Sequence, residues 1–86
     1  MSENKRLLGK QIAAARVLAG LSQSELATAA NISVPTLRRM EANEGPSSGY
    51  VNNVEAVRRA LESKIVFVDD NGDGPGVRLR KQHAAG

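Results

Sequence analysis

Apolar residues recur at helical spacing through the first two thirds of the chain, beginning with a helix that we predict from Glu3 to Ala19. Three basic residues fall largely on its other faces, where we expect them to be solvated: Lys5, Lys10 and Arg16. Gly20 is predicted to end the helix, because glycine readily adopts the left-handed conformation that follows helix C-termini. The apolar positions share one helical face and are separated by four, three and four residues: Leu8, Ile12, Ala15 and Ala19.

A second helix, from Gln23 to Ala30, has a clear start signal. Ser22 is a good N-cap, and Glu25 three residues later completes a capping box. Asn31 is predicted to end the helix, since asparagine tolerates the left-handed conformation, and Ile32 follows as an apolar residue in the turn. The apolar stripe of this helix consists of Leu26, Ala27 and Ala30.

The third helix is predicted to begin after Ser33, which can act as its N-cap. Pro35 is compatible with this start, because the backbone N–H groups of a first helical turn have no partner within the helix. Leu37 and Met40 are three residues apart and are predicted to face the core. The residues expected to face outward are Val34, Pro35, Arg38, Arg39 and Glu41.

The segment Glu44 to Gly49 has the composition of a loop, and a fourth helix is predicted from Tyr50 to Ser63. Arg58 and Arg59 on this helix are expected to have surface roles. Its apolar face consists of Val51, Val54, Val57 and Leu61.

The hydrophobic period then changes and predicts a β-hairpin. Ile65 to Val68 is β-branched and aromatic, Val77 to Arg80 alternates with period two, and Asp69 to Gly76 between them is rich in turn residues. An isolated two-stranded hairpin is marginally stable in water, so it must pack on the helices or on another chain.

The hairpin carries more apolar residues than one buried face needs. If Ile65 and Phe67 face the helices, Val66 and Val68 point outward, and an apolar outer face on an exposed strand favours a partner strand. We therefore expect homodimerisation through the hairpin. The candidate dimerisation residues are Ile65, Val66, Phe67, Val68, Val77 and Leu79.

Three basic residues lie on or beside the second strand: Arg78, Arg80 and Lys81. They can discourage edge-to-edge aggregation, as charges on edge strands do. Alternatively, they can contact a phosphate or an acidic partner surface. Both interpretations remain open at this point.

Composition excludes several classes of function. The 86 residues suit one small domain, the chain has no cysteine, and its single histidine is His83. No nucleophile–base pair, metal cluster or glycine-rich phosphate loop is present, so we expect no enzyme, no metal and no cofactor. A net charge of +3 is a mild excess that points only weakly to a polyanionic partner. Without a long apolar stretch, we expect a cytoplasmic protein with no membrane partner.

The helix lengths and the intervening turn form a helix-turn-helix pattern. Three segments carry a resemblance to a known family: Leu21 to Ala27, Asn31 to Ser33 and Thr36 to Glu41. They resemble the phage-repressor-like (Cro/C1, or XRE) family of DNA-binding domains over about residues 7 to 62. The hairpin looks like the tail of certain small bacterial regulators of that family.

The resemblance implies a mainly α fold, namely a compact four- to five-helix lambda-repressor-like domain with a C-terminal two-stranded β-hairpin. Residues 1–63 would form the DNA-binding domain, residues 64–81 the hairpin extension and residues 82–86 a flexible tail. The third helix, about 33–43, would enter the major groove, and dimers would span two half-sites.

The resemblance also assigns candidate DNA contacts. Gln23 would hydrogen-bond a phosphate, Arg39 would reach a base, and Arg38 would contact a phosphate or a base. At the start of the third helix, Ser33 would add a phosphate contact, and the base-facing positions would be Val34, Pro35 and Thr36.

Two functions are compatible with these residues. The first is a dimeric, sequence-specific transcriptional regulator that binds double-stranded DNA and is associated with the nucleoid when bound. The second is a protein-interaction module, an anti-activator or anti-repressor that uses the Val34–Pro35 surface and the hairpin to bind another regulator.

Overall fold

A computed structural model describes residues 7–42 and 51–81 of the chain. It confirms a mainly helical fold with a C-terminal hairpin. The elements of these two ranges are α1 (Gly9–Ala19), α2 (Gln23–Ala30), α3 (Val34–Ala42), α4 (Val51–Glu62), β1 (Ile65–Val68) and β2 (Gly76–Leu79). Several predictions lie outside the described residues: the helical start at Glu3, the loop from Glu44 to Gly49, Tyr50, the side chain of Val51 and the tail at 82–86.

Short-range signals set the ends of α1 and α2 as predicted. Gly20 follows α1 in the left-handed conformation with φ 78°, and Asn31 follows α2 with φ 60°. At the start of α2, the Ser22 hydroxyl accepts a hydrogen bond from the Glu25 N–H at 3.0 Å. The Glu25 carboxylate accepts one from the Ser22 N–H at 2.8 Å, which completes the capping box.

The four helices and the hairpin share one core. The apolar stripes predicted for α2 and α3 are buried, and Val34, Val54 and Ile32 pack partly against them. The buried hydrophobic residues are Leu7, Ile12, Ala15, Leu26, Ala27, Ala30, Leu37, Met40, Val57, Leu61 and Ile65.

The start of α1 differs from the prediction. Leu8 has extended backbone dihedrals and precedes the helix, and its neighbour Leu7 is the buried leucine. The Gln11 side chain accepts a hydrogen bond from the Leu8 N–H at 2.9 Å, so α1 begins at Gly9. The predicted stripe position at Leu8 is therefore wrong, because helical spacing does not extend to a residue outside the helix.

The hairpin is antiparallel, with Ile65 opposite Leu79 and Phe67 opposite Val77. Ile65 is fully buried, and both Phe67 and Val77 pack against the core, which confirms the predicted inner face. The Arg58 guanidinium lies over the Phe67 ring, 5.8 Å from its centroid. A side chain of α4 thus covers part of β1.

The second strand is displaced by one residue from the prediction, since β2 begins at Gly76 and ends at Leu79. Arg80 follows the strand, and its guanidinium donates to the Glu62 carbonyl at 2.9 Å. In the turn, the Asp70 carboxylate accepts hydrogen bonds from the N–H groups of Gly72 and Gly74. Gly74 has φ 97°, a conformation that L side chains rarely adopt.

Gln11 joins α1 to the closed end of the hairpin. Its amide nitrogen donates to the carbonyls of Gly76 at 3.1 Å and Val68 at 3.5 Å. Only 7% of this residue is exposed, so water cannot easily replace these bonds. The amide therefore holds both strand ends against the start of α1.

We predict that Gln11→Met lowers the free energy of unfolding by about 1–3 kcal/mol, because the buried hydrogen bonds of the amide are lost at similar side-chain volume. Urea unfolding measures the change. Lys10→Met on the same helix is the control, since Lys10 is exposed, and its effect should stay within about 0.5 kcal/mol. Equal effects of the two substitutions would contradict the role of the amide.

Candidate nucleic-acid interface

The residues predicted to contact DNA lie at the start of α2 and along the outer side of α3. Pro35, Arg38 and Arg39 are exposed, and Gln23 and Thr36 are half-buried. The structure thus brings polar and basic groups from both helices onto one surface. An Arg guanidinium on such a surface matches the two acceptors of a guanine edge or the oxygens of a phosphate.

The first turn of α3 is closed by its own hydroxyl groups. The Ser33 Oγ accepts a hydrogen bond from the Thr36 N–H at 3.2 Å, as predicted for an N-cap, and donates one to the Thr36 Oγ1 at 2.8 Å. Val34 differs from the prediction that it faces outward, because it is half-buried against the core. Pro35 is therefore the exposed apolar residue of this turn.

An ion pair connects α1 to α3 beneath this surface. The Arg16 Nε lies 2.8 Å from the Glu41 Oε2, and the Arg16 Nη2 donates to the Glu41 Oε1 at 3.3 Å. The Arg16 Nη1 also donates to the carbonyl of Leu21 in the turn between α1 and α2, at 2.9 Å. The side chains are only 17% and 7% exposed, respectively.

Two predictions are therefore wrong: Arg16 is not a solvated charge, and Glu41 does not face outward. Helical spacing places both residues away from the apolar stripes of their own helices. Each side chain is nevertheless covered by the other helix. The two residues lie 25 positions apart in sequence. A pattern within one helix contains no signal for such a pair.

The ion pair continues to the exposed surface through Gln23. Its amide nitrogen donates to the Glu41 Oε1 at 3.0 Å, and its amide oxygen accepts from the Arg38 Nε at 3.3 Å. Gln23 therefore links the buried carboxylate of α3 to an exposed guanidinium of the same helix. This network orients the Gln23 side chain at the start of α2, where the resemblance places a phosphate contact.

The start of α2 also holds a carboxylate that remains charged. The hydrogen bond from the Ser22 backbone N–H, followed by the one from its hydroxyl, lowers the pKa of Glu25, and the nearby Lys64 ammonium lowers it further. The negative charge compensates the partial positive charge of the helix N-terminus. The exposed end of α2 thus combines a carboxylate with a neighbouring cation.

The candidate dimerisation residues have different surroundings. Ile65 has no exposed surface, so its side chain belongs to the core of the protomer. Val66 and Val68 are half-buried on the other sheet face, where they lie opposite Arg78 and Gly76. Leu79 is 52% exposed.

Sequence reasoning missed a second apolar surface, on the outer side of α1. Val17 is 66% exposed and Leu18 is 43% exposed. With Ala13, Ala14 and Val77 they line a shallow depression between α1 and β2 that has no charged side chain. The excess of alanine, valine and leucine in α1, beyond one stripe, is the sequence signal for it.

The described residues meet the requirements of neither a metal site nor a membrane-spanning helix. Residues 7–42 and 51–81 contain no group of three or more histidine, cysteine or acidic side chains placed to hold a metal ion. Among the helices of these residues, none has the length and apolar character needed to span a bilayer.

Comparison with known proteins agrees with this geometry. A family model described as helix-turn-helix matches residues 12–56, which is just over half of the chain. The match begins within α1, includes α2 and α3 completely, and ends within α4. No curated protein matches the chain.

We predict that Glu41→Gln lowers the free energy of unfolding by about 3 kcal/mol, because it leaves the Arg16 charge buried without its counter-ion. The matched control is Glu62→Gln. Glu62 pairs with Arg58 at 3.4 Å, with side chains 28% exposed for Arg58 and 44% for Glu62, so the cost should stay below about 1 kcal/mol. Thermal and urea unfolding of both variants provide the comparison, and similar losses would refute a special role for the α1–α3 pair.

Proposed function

Because the chain belongs to the Cro/C1-type (XRE) helix-turn-helix family of DNA-binding transcriptional regulators, we propose that it recognises a specific duplex sequence as a homodimer. In this proposal α3 lies in the major groove and the start of α2 lies against the phosphate backbone. The observation that carries it is the hydrogen bond from the Arg38 Nε to the Gln23 Oε1, which brings the start of α2 and the exposed side of α3 together. The underlying Arg16–Glu41 pair supports the relative placement of the two helices.

Within this surface we assign backbone and base contacts separately. Gln23 and Ser33 contact phosphates, and Arg38 contacts a phosphate or a base edge. Arg39 binds a guanine edge, because a guanidinium can donate to O6 and N7 together. The remaining base-facing positions are Pro35 and Thr36. Pro35 is exposed, lacks a side-chain hydrogen-bonding group and can contact a thymine methyl group, so DNA shape adds to specificity.

Dimerisation through the hairpin completes the proposal. A two-stranded sheet has outer edges that can pair with a strand of a second copy. The half-exposed Leu79 and the uncharged depression beside Val77 support an apolar contact there. Each protomer then reads one half-site, and the half-sites lie about 34–36 Å apart or at a multiple of that distance.

We predict that Arg39→Ala reduces discrimination between specific and scrambled duplexes by about 1–3 kcal/mol, or roughly 5- to 150-fold. Fluorescence anisotropy with the DNA upstream of the protein's own gene and a scrambled duplex measures this, at two salt concentrations. Arg59→Ala is the control, because Arg59 is an exposed arginine on α4. It should leave the discrimination unchanged.

Equal binding of the parent chain to both duplexes, collapsing as salt rises, would contradict sequence-specific recognition. That result would favour the alternative function, a protein-interaction module that binds another regulator. A Pro35→Asp substitution at the exposed apolar residue of the first turn of α3 that disrupts a protein complex, in a variant that circular dichroism shows to be folded, would then support the alternative.

We predict that Leu79→Asp weakens self-association at least about tenfold, because it places a carboxylate in the proposed apolar contact. Sedimentation equilibrium measures the dissociation constant, and circular dichroism checks that the variant is folded. Asn52→Asp on α4 introduces the same charge at an exposed position and should leave association unchanged. A monomeric parent chain, or dimers of equal strength in all three proteins, would count against the hairpin interface.

A further inference from the structure

Charge is segregated along the hairpin. Its turn carries Asp69, Asp70 and Asp73, whereas its open end carries Lys64, Arg80 and Lys81. The strands have four residues each, so the acidic and basic ends are separated by about 13 Å. Solubility alone does not require this separation, because a surface with both signs of charge interspersed is equally soluble.

Arg80 organises the basic end. Its backbone N–H donates to the Lys64 carbonyl at 2.7 Å, beyond the last pair of the strands. Its guanidinium donates to the carbonyls of Glu62 at 2.9 Å and Ile65 at 3.5 Å. Because Glu62 is the last residue of α4, Arg80 caps this helix C-terminus and holds Lys64 and Lys81 on neighbouring chain segments. Both lysines are exposed.

The basic end lies beside the helix-turn-helix. α4 packs against α2, and the two helices contribute Leu61 and Leu26 to the shared core. Lys64 follows the end of α4 by two residues, and Gln23 lies in the same first turn of α2 as Glu25. The Lys64 charge also lowers the pKa of Glu25, which agrees with this packing of α4 on α2.

We propose that the basic end of the hairpin is a second phosphate-binding surface, in which Lys64 and Lys81 contact the DNA backbone next to the segment held by the start of α2. Exposed ammonium groups suit this task, because phosphate contacts need positive charge and not a fixed fork of donors. Glu25 is capped by Ser22, and Glu62 pairs with Arg58, so both nearby carboxylates have partners of their own. This inference rests on the proposed DNA binding but not on the base contacts of α3.

The test is the salt dependence of DNA affinity for a Lys64→Gln/Lys81→Gln variant. Each phosphate contact contributes about 0.9 to the slope of log K against log salt concentration, so we expect the slope to fall by about 1.8 per bound protomer. Affinity should fall for specific and scrambled duplexes alike, and their ratio should not change, because phosphate contacts carry no sequence information.

The matched control is Lys10→Gln/Arg59→Gln, which removes two exposed charges from α1 and α4. A slope equal to that of the parent chain in the hairpin variant would overturn the inference. So would an equal reduction in the control, because the effect would then reflect net charge alone. Thermal unfolding confirms that both variants are folded.

The proposed sequence-specific function and the second phosphate-binding surface can fail independently of each other. Suppose that Arg39→Ala retains full discrimination between specific and scrambled duplexes, while the Lys64→Gln/Lys81→Gln variant shows a weaker salt dependence of affinity. The proposed base contacts are then wrong, and the second phosphate-binding surface is supported. If the parent chain binds no duplex, both proposals fall. An unchanged slope together with Arg39-dependent discrimination rejects only the hairpin surface.

Discussion

The Arg16–Glu41 ion pair is the interaction on which the arrangement of the three N-terminal helices depends. It joins the last turn of α1 to the last turn of α3, and the same guanidinium binds the Leu21 carbonyl between α1 and α2. The hydrophobic effect is non-directional, and by itself it specifies the alignment of neighbouring helices less strictly than a hydrogen-bonded pair does. A bidentate, mostly buried ion pair has a defined geometry, so it determines how far the helices are displaced along one another. Gln23 extends this geometry to the surface that would meet DNA.

The hairpin depends on polar anchors in the same way. Its inner face contributes Ile65 to the core, but a four-residue strand buries too little to hold two strands in place by itself. Gln11 anchors the closed end by bonds to both strands, and Arg80 anchors the open end by capping α4. The hairpin is thereby attached to α1 at its closed end and to the end of α4 at its open end.

Local signals account for the parts of the fold that the sequence predicts well. The caps at Ser22 and Ser33 and the left-handed residues Gly20 and Asn31 act within four residues of each helix end. The stripes of α2 and α3 and the inner face of β1 follow from period alone. The residues of the candidate interface came from the family resemblance, and their roles as DNA contacts remain predictions.

The parts that sequence did not predict all involve distant partners. The sequence predicts Arg16 to be solvated and Glu41 to face outward, because no residue near either one in the sequence indicates its partner on the other helix. Gln11 bonds to residues 57 and 65 positions away, and only the folded chain brings them together. Arg80 looked like an edge-strand charge and proved to be a helix cap. Polar residues that serve as anchors have the same composition as polar residues that face water, so pattern alone cannot separate them.

The central claim is that one surface, held by the Arg16–Glu41–Gln23 network, binds duplex DNA. The most direct measurement is an NMR titration of the 15N-labelled chain with a duplex containing the DNA upstream of its gene. We predict that the largest shift changes occur at Gln23 and along residues 33–39, while the outer side of α1 around Val17 changes little. Changes concentrated around Val17 and Leu18, with the start of α2 and α3 unaffected, would contradict the account.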